Sequence, residues 1–362
     1  MLKERLVDYD PETGRLAHPP RQLYIEITSR CNLDCVHCSK DYGRFRGQDL
    51  SEQALEKLAP WLAQARFVNL NVTGEPMLAA GFERAIRLSS AGAAEVAFNT
   101  NATLVTEARA DLLVAAGVHS IAVSIDGWAA NRRVRGVPYE RVREGLLRLA
   151  AARERRGSAT PHLAVAYTLM RSNAEELVPV LADLLPRVRL HAVHLQPLVV
   201  FWENLVGENT YDSPVVDRVL LEARELCERH GTLCTLQRSQ FLSDERFQRE
   251  ADLHHVLGPA SATYGCLDPF FEFKVLADGG ILGCSFGQEP GANLLDPDLD
   301  LDRLWNGPWF CALRKRLFAK RFEGRCATCA HVNGGRQSQL ASRNQGVAHS
   351  RAERFRDGLR ME

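Results

Sequence analysis

Three thiols stand close together at Cys31, Cys35 and Cys38, within Arg30-Cys31-Asn32-Leu33-Asp34-Cys35-Val36-His37-Cys38. Thiolates are the usual ligands of iron–sulfur clusters, and this spacing lets one short loop wrap three irons. Three ligands for four irons leave one iron open, and chemistry can happen there. A zinc loop is the alternative, but structural zinc takes four ligands in a closed tetrahedron. His37, wedged between two thiols, would complete that set only awkwardly. Four more cysteines, Cys266, Cys284, Cys326 and Cys329, recur in the C-terminal region, the last two as a Cys-x2-Cys pair. As metal ligands they have the number that a four-cysteine zinc ribbon needs. Cys227, Cys234 and Cys311 read as buried thiols that pack as small hydrophobes.

The first loop needs a strand to aim it. Leu23-Tyr24-Ile25-Glu26-Ile27-Thr28 alternates apolar and polar residues just before Cys31, as a half-buried strand does. The pattern repeats, with strands near 67–72, 95–99, 120–125, 162–168 and 190–195. Helices are expected between them and after the sixth strand, with Ser51 and Thr106 as N-caps of two of these. Parallel neighbours require such crossover helices. Six units are too few for the closed eight-stranded barrel. The sequence therefore predicts an α/β fold, a partial (β/α)6 TIM-like barrel with sites at the C-terminal strand ends. Residues 1–21 read as an arm, 22–235 as the barrel and 236–261 as a charged helical linker. Residues 262–335 carry the second cysteine set, and 336–362 form a basic tail.

The 362 residues are 45% hydrophobic and 25% charged, as in ordinary globular proteins. Lys+Arg and Asp+Glu are both 45, so charge does not argue for a nucleic-acid partner. No apolar run reaches the ~18 residues of a membrane span. Met1-Leu2-Lys3-Glu4-Arg5 does not begin a secretory signal. Ten cysteines without such a signal point to metal ligands in a reducing, cytoplasmic setting.

The cysteine loop, together with ordered turns at the strand ends, resembles the radical S-adenosylmethionine superfamily. Thr73-Gly74-Glu75-Pro76 is similar to its GGEP turn, with Thr73 in place of the first glycine. Asn99-Thr100-Asn101-Ala102 is similar to its TNG turn, with Ala102 in place of the glycine. Ser124-Ile125-Asp126-Gly127 and Arg133-Val134-Arg135-Gly136 resemble its SIDG and RG pair. The resemblance covers residues 22 to about 200. It implies a [4Fe-4S] cluster on Cys31, Cys35 and Cys38 whose open iron chelates S-adenosylmethionine. An electron from an external donor of flavodoxin or ferredoxin type would then release a 5′-deoxyadenosyl radical. By the same resemblance Glu75, with Thr73 and Gly74, would receive the methionine amino group. Arg135 would hold the carboxylate, Ser124 the ribose or carboxylate, and Leu195 would wall the adenine. His37 and Asn101 count with these cofactor-binding residues.

Cys-x12-Gly-x4-Cys followed by Cys-x2-Cys resembles the twitch form of the superfamily's SPASM extension. It implies an auxiliary [4Fe-4S] cluster on Cys266, Cys284, Cys326 and Cys329. Phe273-Lys274-Val275-Leu276 and Gly280-Ile281-Leu282 would be its hairpin, turning at Asp278-Gly279. The leading function is hydrogen abstraction from a small polar natural-product intermediate, sugar- or aminocyclitol-like. Its outcome would be net oxidation, with the auxiliary cluster as electron acceptor and Glu26, Asp126 or His194 as base. The alternative is maturation of a ribosomally made peptide by cross-linking or epimerisation, with Cys311 as hydrogen donor. The twenty-residue arm is short for a leader-binding domain, which lowers that alternative. A cluster-bearing scaffold without turnover is the third reading. Phe201-Trp202-Glu203-Asn204, after the sixth strand, reads as packing or as pocket wall.

Overall fold

The computed structural model describes residues 8–40, 46–198, 202–208, 210, 213–236, 266, 268–284, 291–323 and 326. The linker expected beyond Leu236, the basic tail, Phe201 and Cys329 lie outside the described residues. In chain order the strands are β1 (Gln22–Ile25), β2 (Phe67–Asn69), β3 (Glu95–Thr100), β4 (Ser120–Ser124) and β5 (His162–Leu169). Then come β6 (Ala192–Pro197), β7 (Leu233–Leu236), β8 (Glu272–Val275), β9 (Gly280–Leu282) and β10 (Ala292–Asn293).

Helices Glu52–Leu62, Phe82–Ser89, Glu107–Ala115, Tyr139–Arg155, Leu177–Leu184 and Pro214–Arg229 fill the successive gaps from β1 to β7. Their starts follow the sequence signals. Ser51 Oγ accepts from Ala54 N at 3.2 Å, and Thr106 Oγ1 accepts from Arg109 N at 3.2 Å. Pro214 opens its helix, where a missing N–H costs nothing. Among the described residues no helix is long and apolar enough to cross a membrane.

The chain divides into two compact units. The first gathers the described residues within Met1–Cys31, Arg46–Phe98 and Val256–Gly334. Here β1 lies between β2 and β8 and is parallel to both, with Leu23 opposite Val68 on one side and Phe273 on the other. The β1 alternation buries Leu23 and Ile25. Each such burial contributes about 1.5–3 kcal/mol relative to exposure. Trp61, Phe273, Trp305 and Phe310 continue this core, with Trp61–Phe273 and Trp305–Phe310 centroids 4.8 and 5.0 Å apart. The guanidinium of Arg314 lies 4.1 Å above the Trp305 ring and donates to Pro269 O at 2.7 Å. Burial lowers its pKa to about 10.

The expected hairpin forms, with β8 and β9 antiparallel. Its first strand also pairs along β1, so the second cysteine region shares a unit with the first strands instead of standing apart. A pairing between residues some 250 apart leaves no local trace in sequence.

The second unit gathers the described residues within Asn32–Phe45 and Asn99–His255. Its strands run β4-β5-β6-β7, every pair parallel, over buried Val123, Val165 and Val193. The fold is α/β and mostly parallel, as expected. β7 is an addition, a short strand just beyond the last helix of the repeat.

Candidate active site

In the second unit the cysteine loop is moored at three points. Asn32 Nδ2 donates to Thr103 Oγ1 at 2.8 Å and Asn32 Oδ1 accepts from Asn101 Nδ2 at 2.9 Å. Asn101 Oδ1 in turn accepts from Thr103 N at 3.0 Å and Thr103 Oγ1 at 2.7 Å. The turn keeps the backbone of a glycine turn without the glycine: Ala102 sits at φ +58°, and its N–H donates to Thr100 Oγ1 at 3.0 Å. Next, Val36 N donates to Val134 O at 2.9 Å. Last, the Trp202 indole N–H donates to Cys38 O at 2.6 Å. Val36 and Trp202 both pack on the buried cluster Ala130, Val134, Met170, Leu198 and Leu205. Asn32 carried no sequence signal beyond its place between two cysteines. For Trp202 the reading as packing holds.

Beneath the loop lies a buried charge pair. Asp126 is fully buried, with Oδ1 accepting from Thr168 N at 2.8 Å and Oδ2 2.7 Å from Arg135 Nε. His37 Nε2 stands 3.6 Å from the same Oδ2. Arg135 Nη1 reaches Cys35 Sγ at 3.9 Å. Burial opposes the Arg135 cation, but Asp126 and then Cys35 outweigh it and raise its pKa. Two residues given separate roles in sequence, Asp126 as base and Arg135 as carboxylate fork, are therefore each other's partners. Ser124 is half-buried at the end of β4, beside Ala166, and Leu195 is buried.

His194 Nδ1 lies 2.7 Å from Thr235 Oγ1, and burial followed by His191 lowers its pKa below 6.5. An unfolded histidine then takes its proton before the folded one. Its share of stability is complete above about pH 6.5 and falls as pH drops toward the folded value. In urea titrations at pH 7.5 and 5.5, His194→Gln should flatten the pH slope by up to one proton, at most ~1.4 kcal/mol per pH unit. An unchanged slope would remove the assignment.

In the first unit, Glu26 is buried and fully engaged. Its Oε1 accepts from Thr73 N at 3.1 Å and from Thr73 Oγ1, and its Oε2 accepts from Ala277 N at 3.0 Å. A base role would require it to release these donors; as it stands it ties the end of β1 to two loops. Gly74, at φ +76°, lets the Thr73–Pro76 turn press on β1's exit, where an added Cβ would meet Thr28 O at 2.4 Å. Glu75 N donates to Arg30 O at 2.8 Å, and buried Glu75 Oε1 accepts from Met77 N at 3.4 Å. Arg30 clasps Asp49 with bonds of 2.8 and 2.7 Å. The segment leading into Cys31 is thus held on two sides.

Cys311 is buried, and its Sγ donates to Asn306 O at 3.3 Å, which occupies the thiol in structure. Cys266, Cys284 and Cys326 are half-buried in this unit, and Arg316 Nη2 lies 3.8 Å from Cys326 Sγ. Among the described residues no three His, Cys, Asp or Glu side chains gather as ligands of a single ion. A four-iron cluster spreads its thiolates around a cube, wider than one ion would. The donor set suits such a cluster: half-buried thiols at Cys31, Cys35 and Cys38, with a buried cation facing Cys35.

Residues 25–184 match the family model described as Radical SAM superfamily. The mycofactocin maturase MftC of Mycobacterium ulcerans is 25% identical over 340 residues, 90% of this chain and 84% of that protein. A tungsten-containing aldehyde ferredoxin oxidoreductase cofactor-modifying protein of Pyrococcus furiosus is 25% identical over 205 residues, 54% of this chain and 56% of that one. Among solved structures, Streptococcus suis SuiB bound to S-adenosylmethionine superposes with a TM-score of 0.64 at 14% identity, covering 91% of this chain and 74% of that one. Native anSMEcpe with bound AdoMet gives 0.59 at 14% identity, covering 93% and 95%. At those identities the structures speak for the fold.

Proposed function

We propose that this chain, a member of the radical S-adenosylmethionine superfamily, is an enzyme that removes a hydrogen atom from a peptide substrate. When bound, a [4Fe-4S] cluster and S-adenosylmethionine supply a 5′-deoxyadenosyl radical by one-electron cleavage of the sulfonium. Cys31, Cys35 and Cys38 would hold the cluster. The observation that carries the reading is the Arg135 N–H at 3.9 Å from Cys35 Sγ, a cation set against a loop that is tied down at Asn32, Val36 and Cys38.

The chain's own residues then divide the work. Gly74 and Glu75 form the turn for the methionine amino group, and Thr73 fixes that turn through Glu26. Asn101 locks Asn32, holding the loop's first half against β3's exit. Ser124, at the end of β4, would meet the ribose or carboxylate of the cofactor, and His37, inside the loop, counts with the cofactor-binding residues. Leu195 serves as core rather than as an exposed wall. Cys266, Cys284, Cys326 and Cys329 would hold an auxiliary cluster in a twitch-like region over 262–335. An external flavodoxin- or ferredoxin-type donor supplies the electron.

A peptide substrate is favoured because a relative named as a maturase runs along 90% of this chain. Net oxidation of a small polar intermediate is the second reading. It draws on the second cysteine set, which could accept the electron left on the substrate. Anaerobic reconstitution with iron, sulfide, reductant and S-adenosylmethionine should yield 5′-deoxyadenosine, and iron near eight per chain for two four-iron clusters. Intact clusters without 5′-deoxyadenosine would overturn the enzyme. A precursor peptide encoded beside the gene would support the peptide class, and sugar or aminocyclitol genes there would move the assignment to oxidation.

A further inference from the structure

Both cysteine sets meet the same device, an arginine N–H aimed at one sulfur. In the second unit Arg135 Nη1 lies 3.9 Å from Cys35 Sγ, and in the first unit Arg316 Nη2 lies 3.8 Å from Cys326 Sγ. We propose that each arginine donates to a cluster thiolate and raises the reduction potential of that cluster. The inference rests on the functional reading above and goes beyond it, since it gives Arg135 a role toward the cluster instead of the methionine carboxylate.

The physical argument is short. Reduction adds one negative charge to a cluster already ringed by thiolates. A hydrogen bond to sulfur and a nearby cation stabilise the reduced form more than the oxidised one, so the potential rises. At Arg135 a buried ion pair holds the guanidinium. Asp126 Oδ2 is ion-paired to the guanidinium 2.7 Å from Nε and the carboxylate is itself held by Thr168 N at 2.8 Å, while Nη1 faces Cys35. Asp126 offsets the net charge, but the Nη1 N–H dipole points at the sulfur.

The two sites should differ in strength. Arg135's side chain is 9% exposed and its partner Asp126 is 0% exposed. Arg316 is 31% exposed, and its partner Glu323, 3.9 Å away, is 65% exposed. Burial limits screening by water and salt, so Arg135 should shift its cluster further and with less dependence on ionic strength.

The test is a redox titration of the reconstituted protein followed by electron paramagnetic resonance. The signal that changes on adding S-adenosylmethionine reports the Cys31–Cys38 loop, and the insensitive signal reports the second set. Arg135→Gln should make the first potential more negative and leave the second unchanged, with Arg135→Lys between Gln and the parent. Arg316→Gln should do the reverse, by less. If Arg135→Gln fails to hold iron, Arg135→Lys is read in its place, since an ammonium cannot serve Asp126 and Cys35 with two fixed N–H groups. Parental potentials in iron-loaded Arg135 and Arg316 variants overturn this inference alone. A parent protein without any S-adenosylmethionine-sensitive signal overturns the functional reading and this inference with it.

Discussion

An Asp126→Ala protein is expected to melt roughly 6–20 °C below the parent, from a loss of about 3–5 kcal/mol. The carboxylate is fully buried and serves Arg135, Thr168 N and, at longer range, His37. Its removal strands a guanidinium in a site that is only 9% exposed. An uncompensated buried charge costs far more than the net worth of the pair it came from. Two companion variants separate those quantities. Asp126→Asn keeps an oxygen for Thr168 N but loses the charge, so it should fall between parent and Ala. A double variant, Asp126→Asn with Arg135→Met, should be less damaged than the sum of the singles, because no lone charge remains. Thermal melts at low and moderate salt would check this. An Asp126→Ala melt within roughly 2 °C of the parent, below the shift expected for 1 kcal/mol, would mean that Arg135 finds another partner.

That pair also shows where sequence stops being informative. Asp126 and Arg135 are nine positions apart and each fits a family turn, so sequence alone gives each a separate task. Only the fold reveals that the short helix Ala130–Arg135 turns the guanidinium back onto the carboxylate. Local signals fared better. Ser51 and Thr106 cap as expected because capping depends on residues three apart. The alternating β1 residues bury the face that the alternation requires.

Long-range partners were silent. Glu26 looked available as a base, yet its acceptors are filled from residue 73 and from residue 277. Neither contact has a sequence period to betray it. Ala102 stands in place of a turn glycine, and it holds φ +58° with its N–H on Thr100 Oγ1. An alanine pays only ~1–2 kcal/mol for that conformation, which a fully tied turn can absorb. The parallel pairing of β8 with β1 belongs to the same class, set by packing across the chain.

Gly74 tests whether the approach to Cys31 is as crowded as the geometry requires. Gly74→Ala should cost about 2–5 kcal/mol, combining left-handed backbone strain of ~1–2 kcal/mol with overpacking of ~1–3 kcal/mol. The new methyl would lie 2.4 Å from Thr28 O and 2.8 Å from Arg30 O, both backbone atoms that cannot rotate away. Relief must come from moving the segment 28–30, which runs straight into Cys31. The variant should therefore lose iron as well as melting temperature. Two other glycines divide the causes. Gly117 has φ +71° with nothing within 4 Å of an added Cβ, so Gly117→Ala should show backbone strain alone. Gly81 has neither positive φ nor a neighbour within 4 Å, so Gly81→Ala should change stability by less than ~0.5 kcal/mol. Iron per chain and melting temperature should rank Gly81→Ala, Gly117→Ala and Gly74→Ala in falling order, with iron lost only in the last. Full iron in a folded Gly74→Ala protein would show that the loop holds its cluster independently of the turn that presses on its approach.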